Sequence, residues 1–323
     1  MGSTSISWEV SSFEVQVTTP NATSDALYAN GSMQVPVIVV ISAINPDSNS
    51  PYELDDSELE KIRLIDYDDP PTEIKGSWSY SVIENEFEHG LPSTKMAVQS
   101  DLSLAAEGPQ KKRYWVTTTK IEDKRIAASI EQPNGTVVHT GGGNFDSKVI
   151  LVGTNPVMYN LDNLIWEQQG DFVSGKFSDG GGWVLRNLSL TTNKYDLRKA
   201  EFQGYNPGTT DAALEYAISF LKIKGIDVWS SILYYWPMGS EETRRVGIGS
   251  YTAETTINQK SNALCVTHIQ LIESGIESSN WWEEGRFTFY DKFGNSGTFW
   301  LGYGDEDWNH VAPIALEQPY TPK

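Results

Sequence analysis

The segment MQVPVIVVISAI, residues 33–44, carries apolar side chains at nearly every position, in a run too short and too β-branched to be a membrane span. Further runs with period-two alternation or β-branched enrichment are SWEVSSFEVQVTT (7–19), WSYSVIE (78–84), KMAVQSDLSL (95–104), RYWVTTTKI (113–121), RIAASIEQ (125–132), TVVHT (136–140) and KVILVG (148–153). Alternation puts successive side chains on opposite faces of a strand, so each run presents one apolar face to a core. Asn134-Gly135 stands between two of these runs and is a hairpin signal, because both residues tolerate the positive φ of a type I′ turn. Short strands at this spacing predict a mainly β fold of the sandwich class.

Helix signals are few. The run DDSELEKIRLI, 55–65, has an Asp/Ser cap followed by Glu60 and predicts one or two helical turns. The run TTDAALEYAISFLKIKG, 209–225, fits two periods. Leu214, Ala217, Ile218 and Leu221 line a helix face, while Tyr216, Ile218 and Phe220 alternate as in a strand. The segment EQQGDFVSGKFSDGGGW, 167–183, is polar and glycine-rich, and tryptophan usage rises around it, eight of the 11 tryptophans lying from Trp166 onward. We therefore expect a boundary near 165–175, giving a β-sandwich domain over 1–168 and a tryptophan-rich β-sandwich domain over 169–323.

In the first half, LYANGSMQVPVIVVISAI places Tyr28, Asn30 and Gly31 ahead of an alternating strand and is followed by ELDDSELEKIRLI. These words resemble bacterial immunoglobulin-like modules of the invasin type over about residues 25–165, in which an A-N-G-like turn opens a V-x-V-x-V strand. The resemblance implies an immunoglobulin-like sandwich that displays a binding surface or acts as a spacer, and it implies no catalytic residue. The chain departs from the antibody-type pattern, since its single cysteine, Cys265, supplies no core disulfide.

Charge removes whole classes of partner. With 24 Lys+Arg against 43 Asp+Glu the net charge is -19, a field that repels phosphate backbones and anionic headgroups, so no nucleic-acid partner is expected. The N-terminus MGSTSISWEV has neither the positive n-region nor the apolar h-region of a secretory signal, and a soluble protein, cytosolic or secreted, fits the composition.

Chemistry-bearing motifs are sparse. No G-x-S-x-G occurs, and the serine of GIGSYTA, 247–253, follows a G-x-G. Cys265 and His268 in ALCVTHIQLI sit three apart on a predicted strand and so point to opposite faces, which predicts a buried structural cysteine rather than a dyad. The four histidines, His89, His139, His268 and His310, form no H-E-x-x-H, and no metal or cofactor is expected. Asp55-Asp56, Asp66-Asp68-Asp69 and Asp305-Glu306-Asp307 offer oxygen ligands but match no EF-hand loop, and read as solvated acidic loops. TGGGNFDSK, 140–148, lacks the Walker spacing and runs into a strand.

The densest aromatic cluster is SNWWEEGRFTFYDKFGNSGTFWLGYGDEDWN, 279–309. GRFTFYD and GTFWLGYG alternate as two strands of a hairpin closing around Lys292–Ser296, with Phe289 expected opposite Phe299 and Phe287 opposite Leu301 on the core face. The other face carries Arg286, Thr288, Tyr290, Thr298 and Trp300, joined by Trp282 if the strand extends that far. Aromatic rings beside hydroxyls and a guanidinium suit a sugar ring or a protein partner, unless other elements cover the face. Tyr234 and Trp236, in SSILYYWPMG, form either a second aromatic loop at this site or ordinary core.

Three function classes follow. The leading one is non-enzymatic recognition of carbohydrate or a cell-surface receptor, lectin-like or toxin-like. A glycoside hydrolase would need two carboxylates across one cleft, for which Glu283, Glu284 and Asp305 lie near tryptophans. A structural, self-associating β-sandwich is the third.

Overall fold

A computed structural model describes residues 7–18, 22–91, 108–178, 180–203, 217–223, 229–272, 285–303 and 314–317. The chain is mainly β and divides into two compact units, one of residues 1–157 with 293–295, the other of 158–292 with 296–323.

The first unit contains β1 (Glu9–Gln16), β2 (Ser24–Tyr28), β3 (Val35–Ile44), β4 (Pro51–Tyr52), a one-turn helix α1 (Asp56–Leu59), β5 (Arg63–Asp66), β6 (Trp78–Ser81), β7 (Gln110–Thr118), β8 (Asp123–Glu131), β9 (Val137–His139) and β10 (Val149–Thr154). One sheet runs β1-β3-β7-β6 with β4 on β3, and the other β2-β10-β8-β5 with β9 on β8. β2 lies against β3 and β7, and β1 against β8, so the two sheets close on a shared core. Val35, Val37, Val39 and Ile41 of β3 are fully buried, as are Leu64, Ile126 and Leu151 of the opposite sheet. Pro36 and Ile38, on the other face of β3, are buried as well, so the strand is covered on both faces over this stretch and is apolar at almost every position.

Local signals act mostly as the sequence implies. The hairpin between β8 and β9 forms with Gly135 at φ +81, but Asn134 takes no positive φ, so the turn is not of type I′; the Gly135 amide donates to the Gln132 carbonyl at 2.9 Å. Ahead of β3, Gly31 has φ +75 and the Asn30 Oδ1 accepts from the Ser32 and Met33 amides. The short helix expected within 55–65 forms as the single turn Asp56–Leu59, with a different partner in its cap. Asp55 caps α1 in a box closed by Glu58, not by Glu60, and Arg63–Asp66 is strand β5, zipped to β8. Residues 62–65, IRLI, bury Ile62, Leu64 and Ile65, and strand pairing outweighs the helix propensity of the charged turn before them. The strand expected at 95–104 lies outside the described residues.

The second unit contains β11 (Leu164–Lys176), β12 (Gly182–Thr192), β13 (Leu197–Gln203), β14 (Ala217–Ile223), β15 (Trp229–Tyr235), β16 (Glu242–Ile248), β17 (Tyr251–Ile257), β18 (Leu264–Ile272), β19 (Gly285–Asp291), β20 (Ser296–Tyr303) and β21 (Ile314–Glu317). They form a five-stranded sheet β11-β12-β18-β15-β14, a four-stranded sheet β13-β19-β20-β21 and a hairpin β16-β17. β14 settles the ambiguous run as strand over 217–223. On one side of the five-stranded sheet, Leu185, Ile232, Tyr234 and Ile269 pack with Val246, Ala253 and Ile257 of the hairpin. On the other side Tyr235 meets Phe287, 5.2 Å between ring centroids, joining the four-stranded sheet to the stack. Among the described residues no helix is long and apolar enough to cross a membrane.

Candidate functional site

The β19–β20 hairpin forms as its alternation implies, but its register lies two residues from the expected one. Phe287 stands opposite Phe299 and Phe289 opposite Gly297. Gly297 explains the shift. A Cβ there would lie 2.7 Å from the Phe299 ring and 2.8 Å from the Tyr159 Cβ. The missing side chain is the space in which Phe289 stacks on Phe299, at 5.6 Å and 7°. The shift is even, so the described side chains keep their expected faces.

That face is the outer surface of the four-stranded sheet. Arg286 is exposed, and Thr288, Tyr290, Thr298 and Trp300 are half-buried. Arg286 is the cross-strand partner of Trp300, and its guanidinium lies over the indole at 4.5 Å. The pair is cationic and aromatic at once, a contact that holds both flat groups in place. Beside it the Thr288 and Thr298 hydroxyls share a hydrogen bond of 2.8 Å. On the next strand, Lys199 lies over the Tyr290 ring at 5.5 Å and pairs with Glu201 at 2.9 Å. The Tyr290 hydroxyl donates to Glu201 at 3.1 Å. Burial first, and this carboxylate second, push the Tyr290 hydroxyl above the ordinary phenol range. The Glu201 carboxyl is held below its ordinary value by the hydrogen bond from Lys199. The face thus offers an aromatic plate, a fixed guanidinium and hydroxyls in a row.

Other expected site residues fall elsewhere. Tyr234 and Trp236 are 0% and 2% exposed and stack on each other at 5.6 Å. The Tyr234 hydroxyl donates to the Gly247 carbonyl at 2.9 Å and accepts from the Gly247 amide at 2.8 Å. Trp236 donates its indole N–H to the Thr267 Oγ1 at 2.7 Å. Both side chains therefore belong to the core between sheet and hairpin, and the reading of their segment as a second aromatic loop gives way to packing. The proline that follows ends the strand without exposing them. Trp282, Glu283, Glu284, Asp305 and the rest of that acidic segment lie outside the described residues.

The acidic and sulfur-bearing groups resolve into structural roles. Asp55 caps α1, Asp66 pairs with Lys124, and Asp68 pairs with Arg125 at 2.6 Å. Among the described residues no three His, Cys, Asp or Glu side chains gather as metal ligands. Cys265 is 2% exposed in the core facing the hairpin, and burial pushes its thiol up to about 11. His268, on the opposite face of β18, is 1% exposed and is held down at about 3 by burial and by the Arg186 charge. The two side chains do not converge.

A second concavity, missed by sequence reasoning, is a cleft of about 580 Å³ in the second unit, lined by parts of β11, β12, β16 and β17. The signal that could have found it is Gly170 inside an alternating run, the mark of a bulge.

No family model matches the chain, and no curated protein matches it. Among solved structures, it is similar to the secreted serine protease VesC from Vibrio cholerae at 8% identity, over 84% of this chain and 50% of that one, with a TM-score of 0.22. The chain thus spans half the length of that protein. It is also similar to the C-terminal domain of the Streptococcus pyogenes antigen I/II-family protein AspA, at 10% identity over 95% and 99% of the two chains and a TM-score of 0.22. The Streptococcus agalactiae AgI/II polypeptide BspA C-terminal domain matches at 12% identity over 88% and 97%, with a TM-score of 0.21. Likenesses at these scores transfer neither fold nor activity.

Proposed function

We propose that the protein is a non-catalytic recognition module that binds carbohydrate, free or on a cell surface, through the outer face of the β13-β19-β20-β21 sheet. One observation supports the reading above the others: the half-buried Trp300 with the Arg286 guanidinium over its ring, beside the Thr288–Thr298 hydroxyl pair. An indole held by a cross-strand cation keeps its orientation without a ligand, so little side-chain freedom is lost on binding. With Arg286 covering one face of the indole, sugar C–H groups pack along the part of the ring it leaves free, while hydroxyls and the guanidinium bond the sugar's oxygens. Tyr290 and Arg286 extend the surface, and the immunoglobulin-like reading of residues 25–165 fits a first unit that displays a binding surface or acts as a spacer.

A glycan array separates recognition from the other classes. The wild-type chain is expected to retain a defined set of glycans, and Trp300→Ala to lose them by about ten-fold or more in apparent affinity, the scale of a truncated aromatic anchor. Absence of any retained glycan, or equal retention by the variant, removes this function.

A further inference from the structure

The cleft on the hairpin side of the second unit has the makings of a site of its own. It forms where pairing between β11 and β12 breaks register between Gln169 and Val173, with Gly170 at φ +71. A bulge of this kind bends the strand and redirects its side chains. Phe172 and Val173 emerge from it 47% and 54% exposed, and the half-buried Arg186 sets its guanidinium over the Phe172 ring at 5.4 Å.

The polar lining is fixed from inside the core. Asn187 donates to the Thr255 Oγ1 and the Thr256 carbonyl, each at 2.8 Å. Its Oδ1 accepts from the Thr267 Oγ1 at 2.6 Å, and that oxygen accepts from the Trp236 indole at 2.7 Å. A chain of buried hydrogen bonds therefore holds the wall in one arrangement, as a preorganised site requires.

The composition of the lining selects the ligand. Thr243, Thr256, Gln169 and Gln259 supply hydroxyls and amides, while Asn187 and Thr255 lie buried and paired behind them. An apolar guest would strip water from these groups without replacing its hydrogen bonds, at about 1–3 kcal/mol for each group left unmet. A phosphate-bearing guest would meet the exposed carboxylates of Asp171 and Glu254, which also border the cleft. A volume of about 580 Å³ accommodates one or two sugar rings. We propose that this cleft is a second saccharide site, taking a neutral mono- or disaccharide with one ring against Phe172 and its hydroxyls on the side chains of Thr243, Thr256 and Gln259, in front of the wall that Asn187 holds in place.

Saturation-transfer NMR on the full chain tests it, with neutral hexoses, their disaccharides and glucuronic acid as probes. With the outer face silenced by Trp300→Ala, transfer to at least one neutral sugar is expected, weakened at least ten-fold when Phe172→Ala is added. Phe172 is exposed, so its truncation leaves the fold intact, with circular dichroism as the check. The proposal is overturned if no neutral sugar receives transfer, if glucuronic acid alone does, or if the double variant binds as Trp300→Ala does. Binding lost in Trp300→Ala and kept in Phe172→Ala overturns the cleft while leaving the outer face standing.

Discussion

His268 sits neutral in the core beside the positive charge of Arg186, its cross-strand partner, and protonates only at about pH 3. In the unfolded chain the same imidazole titrates near 6.5, so between these values the unfolded state binds the extra proton. Stability from this residue is full above pH 6.5 and declines as pH falls toward 3, by about 1.4 kcal/mol per pH unit at most. Urea unfolding midpoints measured from pH 7 to pH 4 should fall accordingly. His268→Gln, whatever its stability at neutral pH, should lose that part of the slope, and an unchanged slope would assign the acid sensitivity to carboxylates. The same burial that neutralises His268 makes Cys265 inert on the other face of the strand, so neither residue is available for chemistry.

The β19–β20 hairpin shows where sequence patterning ends and packing begins. Alternation assigned the described side chains, Arg286 to Tyr290 and Thr298 to Trp300, to the correct faces, because a period of two is a property of the strand alone. Register was not legible, because it depends on Tyr159, a residue far away in the chain, and on the hole at Gly297. Gly297→Ala should therefore cost about 1–3 kcal/mol through overpacking, read as a lower thermal midpoint. No change would mean the ring stack yields without strain. Tyr234 and Trp236 show the same limit, since aromatic residues before a proline look alike in sequence whether a hairpin covers them or water does. The β11 bulge belongs to this scale as well. Its glycine is visible in the sequence, but the cleft exists only because the β16-β17 hairpin packs beside it.

The second unit stacks a hairpin, a five-stranded sheet and a four-stranded sheet, and the Trp300 face and the cleft lie toward opposite ends of that stack. A net charge of -19 keeps phosphate-rich partners away from both. The proposed recognition runs through the half-buried aromatic face around Trp300, and tryptophan indole resonances read it without altering the protein. In a titration with a glycan retained on the array, the Trp300 indole N–H, assigned from the Trp300→Phe spectrum, should shift saturably. The indole of the buried Trp236 should stay in place. Shifts confined to other indoles, or none at saturating glycan, would contradict the account.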